Sequence, residues 1–215
     1  MPVVHAAQGG EIIDGLWRFE ALHPEWTEEE GGEEGWEPTV GWWALRSRPS
    51  LVLIDPLVVD WDELDRLVEA SGGCAGVIRT CHWHQRSIAA VAERYRAEVW
   101  AKRHPDGGAP LRLDHAVSAG AELFDAAVVL DVERTDEIAL WLPEQRALVF
   151  GDAMLRRRDG RLRVCPESWT QPVGGPERLR ALLRALGELP VEHVLVSHGP
   201  LVLGDGLLSL RGATA

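Results

Sequence analysis

The chain has 215 residues, 46% of them apolar and 26% charged, which fits one domain, 1–215, with a substantial core and excludes general disorder. Its net charge of -12 repels phosphate backbones, and no basic stripe with interleaved aromatics offsets it, so no nucleic-acid partner is expected. No segment is apolar long enough to cross a bilayer, the N-terminus has no basic leader, and three cysteines without a CxxC pair make no disulfide framework; a reduced, cytoplasmic protein acting on a small molecule is expected, its oligomeric state left open.

In chain order, residues 12–19 read as a first strand or hairpin, and the acidic, glycine-rich run 28–35 as a loop. Residues 39–45 and 51–54 form a strand pair around the turn 46–50. Asp60 with Glu63 makes a capping box before a helix from Trp61 to Ala70, whose Leu64, Leu67 and Val68 form one face. Residues 75–80 read as a buried strand, followed by a helix opened by Ser87 as N-cap and carried by Ile88, Val91, Ala92 and Tyr95. Residues 99–101 complete a β, α, β unit ahead of a loop rich in Gly and Pro at 104–110. Three strand-like runs follow, 126–130, 138–142 and 147–150, joined by polar turns and read as antiparallel. The run Arg156-Arg157-Arg158 reads as a solvated hairpin ending at Asp159-Gly160. Leu179, Leu182, Leu183 and Leu186 mark a late amphipathic helix, and a strand running to His198 closes the core.

The chemistry concentrates at strand ends. Thr80-Cys81-His82-Trp83-His84-Gln85-Arg86-Ser87 sets two imidazoles on the loop that leads from the buried strand into a helix. Imidazole nitrogens bind zinc and its neighbours, but two of them do not close a tetrahedral site. Asp152 follows an apolar run in Gly151-Asp152, His198 follows another in Ser197-His198-Gly199, and Asp55 ends Leu51-Val52-Leu53-Ile54. In this order of strand-end polar residues the chain resembles the metallo-β-lactamase fold family. The resemblance covers nearly the whole chain and implies an α+β fold, the four-layer αββα sandwich, with Asp55, His84, Asp152 and His198 converging on one edge.

The match at the metal loop is incomplete. The family pattern His-x-His-x-Asp-His is met by His82 and His84, while Arg86 stands at the Asp position and Ser87 at the last His. Where a third histidine is usual, residues 131–138 hold none, leaving Glu133 or Asp136 as substitutes. Aligning from the helix brings both histidines into ligand places; aligning forward from Thr80 puts Cys81 and Trp83 there. The helix side is preferred, because ligand direction is set where the loop enters the helix, and Cys81 is then read as a small buried hydrophobe. The resemblance thus implies His82, His84 and Asp152 as metal ligands, with His198 and Glu133 as further candidates, for at most one ion of zinc, manganese or iron, or for none.

Arg86 is expected to turn its guanidinium onto the Asp152 carboxylate, where its charge disfavours a second metal, and Asp55 to brace the loop. Two readings follow. One is a degenerate member with a remnant site that lacks dinuclear metallohydrolase activity; the other is a mononuclear hydrolase of a small ester, thioester or amide, with Asp152 and Arg86 as catalytic residues. The short ligand count favours the first. Of ten tryptophans, Trp17, Trp100 and Trp141 read as core. Trp36, Trp42, Trp43, Trp83 and Trp169 lie nearer the strand-end loops, where an apolar pocket would form, although core packing is the expectation for each. His5, His23, His104, His115 and His193 have no motif context.

Overall fold

A computed structural model describes residues 9–31, 35–104, 113–156 and 159–215. Most of the expected loop 104–110, part of the acidic run 28–35, and Arg157 and Arg158 lie outside the described residues. In the first half, β1 (Gly10–Ile13), β2 (Leu16–Leu22), β3 (Thr39–Ser47), β4 (Ser50–Ile54), β5 (Cys74–Arg79), β6 (Glu98–Ala101) and β7 (His115–Ala116) form a seven-stranded sheet in sequential order. Helix α1 (Trp61–Ala70) connects β4 to β5 and α2 (Ile88–Tyr95) connects β5 to β6, and both strand pairs are parallel, as such crossovers require. The second half supplies β8 (Glu122–Leu123), β9 (Ala127–Leu130), β10 (Ala139–Leu142), β11 (Ala147–Phe150), the hairpin β12 (Met154–Arg156) and β13 (Leu162–Val164), α3 (Pro176–Ala185), β14 (His193–Val196) and α4 (Gly206–Thr214). Its main sheet has the order β14-β11-β10-β9-β8.

Alternation along the strands explains the layering. In β4, Leu51 and Leu53 pack toward α1 and α2, whereas Val52 and Ile54 face the second sheet; in β3, Trp42 and Ala44 divide from Trp43 and Leu45 in the same way. In β11, Leu148 and Phe150 pack toward α3 and α4, and Ala147 and Val149 face the first sheet. Three apolar cores therefore separate four layers, helix, sheet, sheet, helix. A strand covered on both faces needs an apolar side chain at every position, which is why β4 and β11 read as continuous apolar runs.

Asp60 caps α1 through Glu63 N–H at 2.9 Å, as its sequence signals. Ser87 does not cap α2; its hydroxyl instead accepts the Val58 N–H at 2.9 Å, tying the metal loop to the segment after β4. Helix α4 has no counterpart in the sequence reading, because Leu207, Leu208 and Leu210 lack a clean 3.6 period and two glycines dilute its propensity. Among the described residues no helix is long and apolar enough to cross a membrane.

The carboxyl ends of β4, β5, β11 and β14 open on one edge of the sandwich, and each has a polar residue within the next two positions. The two sheets are joined there: Gly41 N–H donates to Ser197 O at 2.7 Å, and Val40 bridges His198. Gly199 permits the chain to leave this edge. Its φ is +99°, and a Cβ would lie 1.7 Å from the Arg156 carbonyl oxygen. Gly199→Ala is therefore expected to cost more than about 1 kcal/mol, a fall in Tm of at least about 2–4 °C for a chain of this size. A melt indistinguishable from wild type would show that the turn is not confined in this way.

Candidate metal centre and cavity

Asp152 is held rather than merely placed. Gly151 approaches the metal loop so closely that a Cβ would meet Thr80 Oγ1 at 2.8 Å and Cys81 Cβ at 2.9 Å, so the Gly-Asp turn needs its glycine. Buried Glu137, at the start of β10, accepts the N–H groups of Gly151, Asp152 and Ala153 on one oxygen, each at 3.0 Å. Its other oxygen faces Arg134 Nε at 3.2 Å. The Asp152 side chain is thereby aimed at the ends of β5 and β14.

Three groups converge on that carboxylate. His84 Nε2 and His198 Nε2 each lie 3.0 Å from Oδ1, and the Cys81 thiol donates to Oδ2 at 3.0 Å. An ionised carboxylate only accepts, so His198 carries its proton on Nε2. His84 is fixed from behind by Asp55, whose Oδ2 is 2.9 Å from Nδ1 and which also accepts the Thr80 N–H at 2.8 Å and the Thr80 hydroxyl.

These contacts set the charges. Burial and Arg86 both disfavour a charged His84, but Asp152 and Asp55 outweigh them and hold its pKa at about 9. Burial alone would raise the Asp152 carboxyl, yet the His84 charge and the two imidazole hydrogen bonds hold it well below the usual carboxylate range. Burial pushes Glu137 up to about 7 against the pull of Arg134. Burial, with Asp152 and Glu137 nearby, raises the Cys81 thiol well above its ordinary value. Burial also lowers His198, despite its hydrogen bond to Asp152.

The cluster forms the floor of a cavity of about 630 Å³ walled by Trp36, Trp83 and Trp169. Trp36 meets the His198 ring edge-on at 4.8 Å, and Trp169 meets it at 6.2 Å. Arg134 pairs with Asp136 at 2.9 Å and donates to the Trp169 carbonyl at 2.7 Å, which fixes that wall. Trp42 and Trp43 are core, as expected of them.

The structure joins His84, Asp152 and His198, with Asp55 behind them, and places three other expected site residues elsewhere. His82 is outside the cluster: a turn closed by His84 N–H to Cys81 O at 3.0 Å brings residues 81 and 84 to the same side and sends 82 away. Its ring stacks on His104 at 4.1 Å. Glu133 sits at the surface paired with Arg178, its φ of 52° turning it from the site. Arg86 makes no ion pair among the described residues; Nη1 donates to the carbonyls of Gly41 at 3.1 Å and Asp55 at 3.0 Å rather than to Asp152. The residue that the structure adds to the cluster is Cys81, read from the sequence as a small buried hydrophobe. Its signal was the register counted forward from Thr80, which the loop geometry follows.

Cys81 Sγ, His84 Nε2 and an Asp152 oxygen lie within 4.8 Å of one another. A mixed sulfur, nitrogen and oxygen set suits zinc better than hard cations such as magnesium or manganese. The Asp55 contact on the far nitrogen of His84 is the carboxylate brace that metal-binding imidazoles use. The residues present therefore fit one metal ion.

Solved structures of similar shape include the DIM-1 metallo-β-lactamase, at 13% identity over 97% of this chain and 96% of that one with a TM-score of 0.68. FIM-1 from Pseudomonas aeruginosa, in its mono-zinc form, also has 13% identity and a TM-score of 0.68, over 99% and 96% of the two chains. The metallo-β-lactamase from Pontibacter korlensis has 14% identity over 97% and 98%, with a TM-score of 0.65. No match is found among curated proteins. A family model described as the metallo-beta-lactamase superfamily matches residues 41–215, the span that carries every residue of this cluster, and the chain belongs to that superfamily.

Proposed function

We propose that the protein is a single-metal member of the superfamily, a hydrolase of a small ester, thioester or amide that lacks the two-metal form of the site. The observation that carries this reading is the Asp152 carboxylate shared by Cys81, His84 and His198 at the floor of a cavity large enough for a small molecule. A metal bound there supplies Lewis-acid polarisation of a substrate carbonyl. Cys81, His84 and Asp152 would hold it, with His198 Nε2 on the same carboxylate oxygen. Asp55 keeps His84 in the required orientation, and Glu137 keeps Asp152 there. The tryptophan walls shield the floor from bulk water, which strengthens electrostatic interactions inside. FIM-1 was solved as a mono-zinc form, and its likeness to this chain supports the view that the fold accommodates a single ion. Against a second ion stands Arg86, whose fixed charge acts on Asp152; two unit charges about 4 Å apart already repel by about 4 kcal/mol at an effective dielectric near 20.

A metal-free binding protein is the second reading. It is favoured by the closure of the cluster on itself, since protonated His84 satisfies both Asp55 and Asp152. Metal content of protein purified without added metal separates the two. About one equivalent of zinc is expected, together with hydrolysis of p-nitrophenyl acetate that a chelator abolishes and zinc restores. Two equivalents would refute the single-metal proposal, as would none with hydrolysis indifferent to chelator, and none with no hydrolysis would leave the binding protein.

A further inference from the structure

We infer that the ligand of this cavity is an aromatic acid, a planar apolar group carrying an anion, with the ring taken by the tryptophan walls and the anion by Arg86. This rests on the reading that the cavity is the substrate site, and it does not depend on the metal. The first support is an unsatisfied guanidinium edge. Of the acidic groups lining the cavity, Asp136 is paired with Arg134, Asp152 accepts from His84 and His198, and Glu30 accepts the Trp36 indole N–H at 3.2 Å. Glu25 is exposed at the rim. Of the two arginines lining the cavity, Arg134 is paired with Asp136, whereas Arg86 makes no ion pair among the described residues and only its charge acts on Asp55 and Asp152. Its Nη1 is anchored on two carbonyls, while Nε and Nη2 are buried and have no hydrogen-bond partner.

Buried donors left unsatisfied cost about 1–3 kcal/mol each. The Nε and Nη2 edge is also the fork that matches the two oxygens of a carboxylate or a phosphate. Arg86 lines the cavity, and binding there requires the guanidinium to turn about its anchored Nη1 so that this edge meets the anion.

The second support is independent and concerns the walls. Trp83 is 68% exposed, although an indole exposed to water forgoes the burial that residue type ordinarily finds. Trp36 and Trp169 stand on a fixed backbone: the Trp36 carbonyl accepts the Trp26 indole N–H at 3.0 Å, and the Trp169 carbonyl is held by Arg134. Rigid aromatic walls bind a flat group without an ordering cost.

The test is calorimetric titration of metal-stripped protein with 2-naphthoate, 2-naphthylmethanol and acetate. Naphthoate is expected to bind at least tenfold more tightly than naphthylmethanol, and acetate not measurably. Arg86→Met should bring the two naphthyl ligands to equal affinity, and Arg86→Lys, which retains a charge and a donor for the Gly41 and Asp55 carbonyls, should retain only part of the preference. Trp169→Leu should weaken both naphthyl ligands about tenfold and leave their ratio unchanged. Equal binding of naphthoate and naphthylmethanol by wild type would overturn the anion role whatever the variants do, and acetate binding as tightly as naphthoate would overturn the aromatic one. Naphthoate binding seen only after zinc is restored would make the carboxylate a metal ligand, ending this inference while leaving the single-metal proposal intact.

Discussion

Truncation of Glu137 to alanine is expected to cost at least about 3 kcal/mol, from three buried N–H donors left without a partner, or at least about 6 °C in Tm. One oxygen of this side chain accepts three consecutive N–H groups, of Gly151, Asp152 and Ala153, and each such donor left buried without a partner costs about 1–3 kcal/mol. Arg134 would keep Asp136 but lose the Glu137 oxygen at 3.2 Å. Glu137→Gln retains an acceptor for the three donors, so it should be clearly milder than the alanine variant. The pH dependence follows from the raised pKa. With a folded value of about 7 against 4.5 unfolded, the group contributes most below pH 4.5 and loses contribution as pH rises through 7. The deficit of the alanine variant should therefore shrink from pH 5 to pH 8. Chemical denaturation of the three proteins at both pH values decides the matter. A deficit below about 1 kcal/mol, or alanine and glutamine variants of equal stability, would mean that the Gly-Asp turn holds itself without Glu137.

What was legible in the sequence is what burial on both faces writes into it. The runs that became β4 and β11 are apolar at every position because one side chain of each neighbouring pair enters the core between the sheets and the other the core beneath the helices. Asp55, Asp152 and His198 were legible for the same reason: each stands within two residues of the end of such a run, and the strand end delivers it to the sandwich edge. The metal loop was not legible to the same degree, because a single backbone hydrogen bond, His84 N–H to Cys81 O, chooses which residues face inward. No periodicity encodes that turn, and a reading that trusted the helix register exchanged Cys81 for His82. Glu133 failed on a similarly local event, a positive φ followed by an arginine that prefers Asp136 and Glu137. Arg86 was read with the wrong partner. Side-chain charge suggested a carboxylate, whereas the guanidinium found two carbonyls, one near the start of β3 and one just after β4.

Replacement of the loop residues one at a time should separate the two registers by metal content. His84→Ala is expected to abolish metal retention, and Cys81→Ser to reduce it strongly, since each loses a donor of the set within 4.8 Å. His82→Ala should leave it unchanged, because His82 is not among the donors within 4.8 Å of one another and its ring stacks on His104. Asp55→Asn should lower zinc affinity about 10–100-fold, the usual effect of removing the carboxylate behind a metal-binding imidazole. The His84 variant carries a second, metal-independent consequence. With the imidazole gone, Asp55 and Asp152 remain buried without the cation that each contacts at 2.9 and 3.0 Å, a loss of about 3–5 kcal/mol by the cost of a broken buried pair. Stability of the apo form and metal content are thus two readings of one side chain, and they can be measured on the same preparation. If His82→Ala strips the metal as completely as His84→Ala, the ligands follow the helix register after all. If His84→Ala loses metal but melts as wild type does, the imidazole is a ligand that does not hold the two carboxylates together in the metal-free fold.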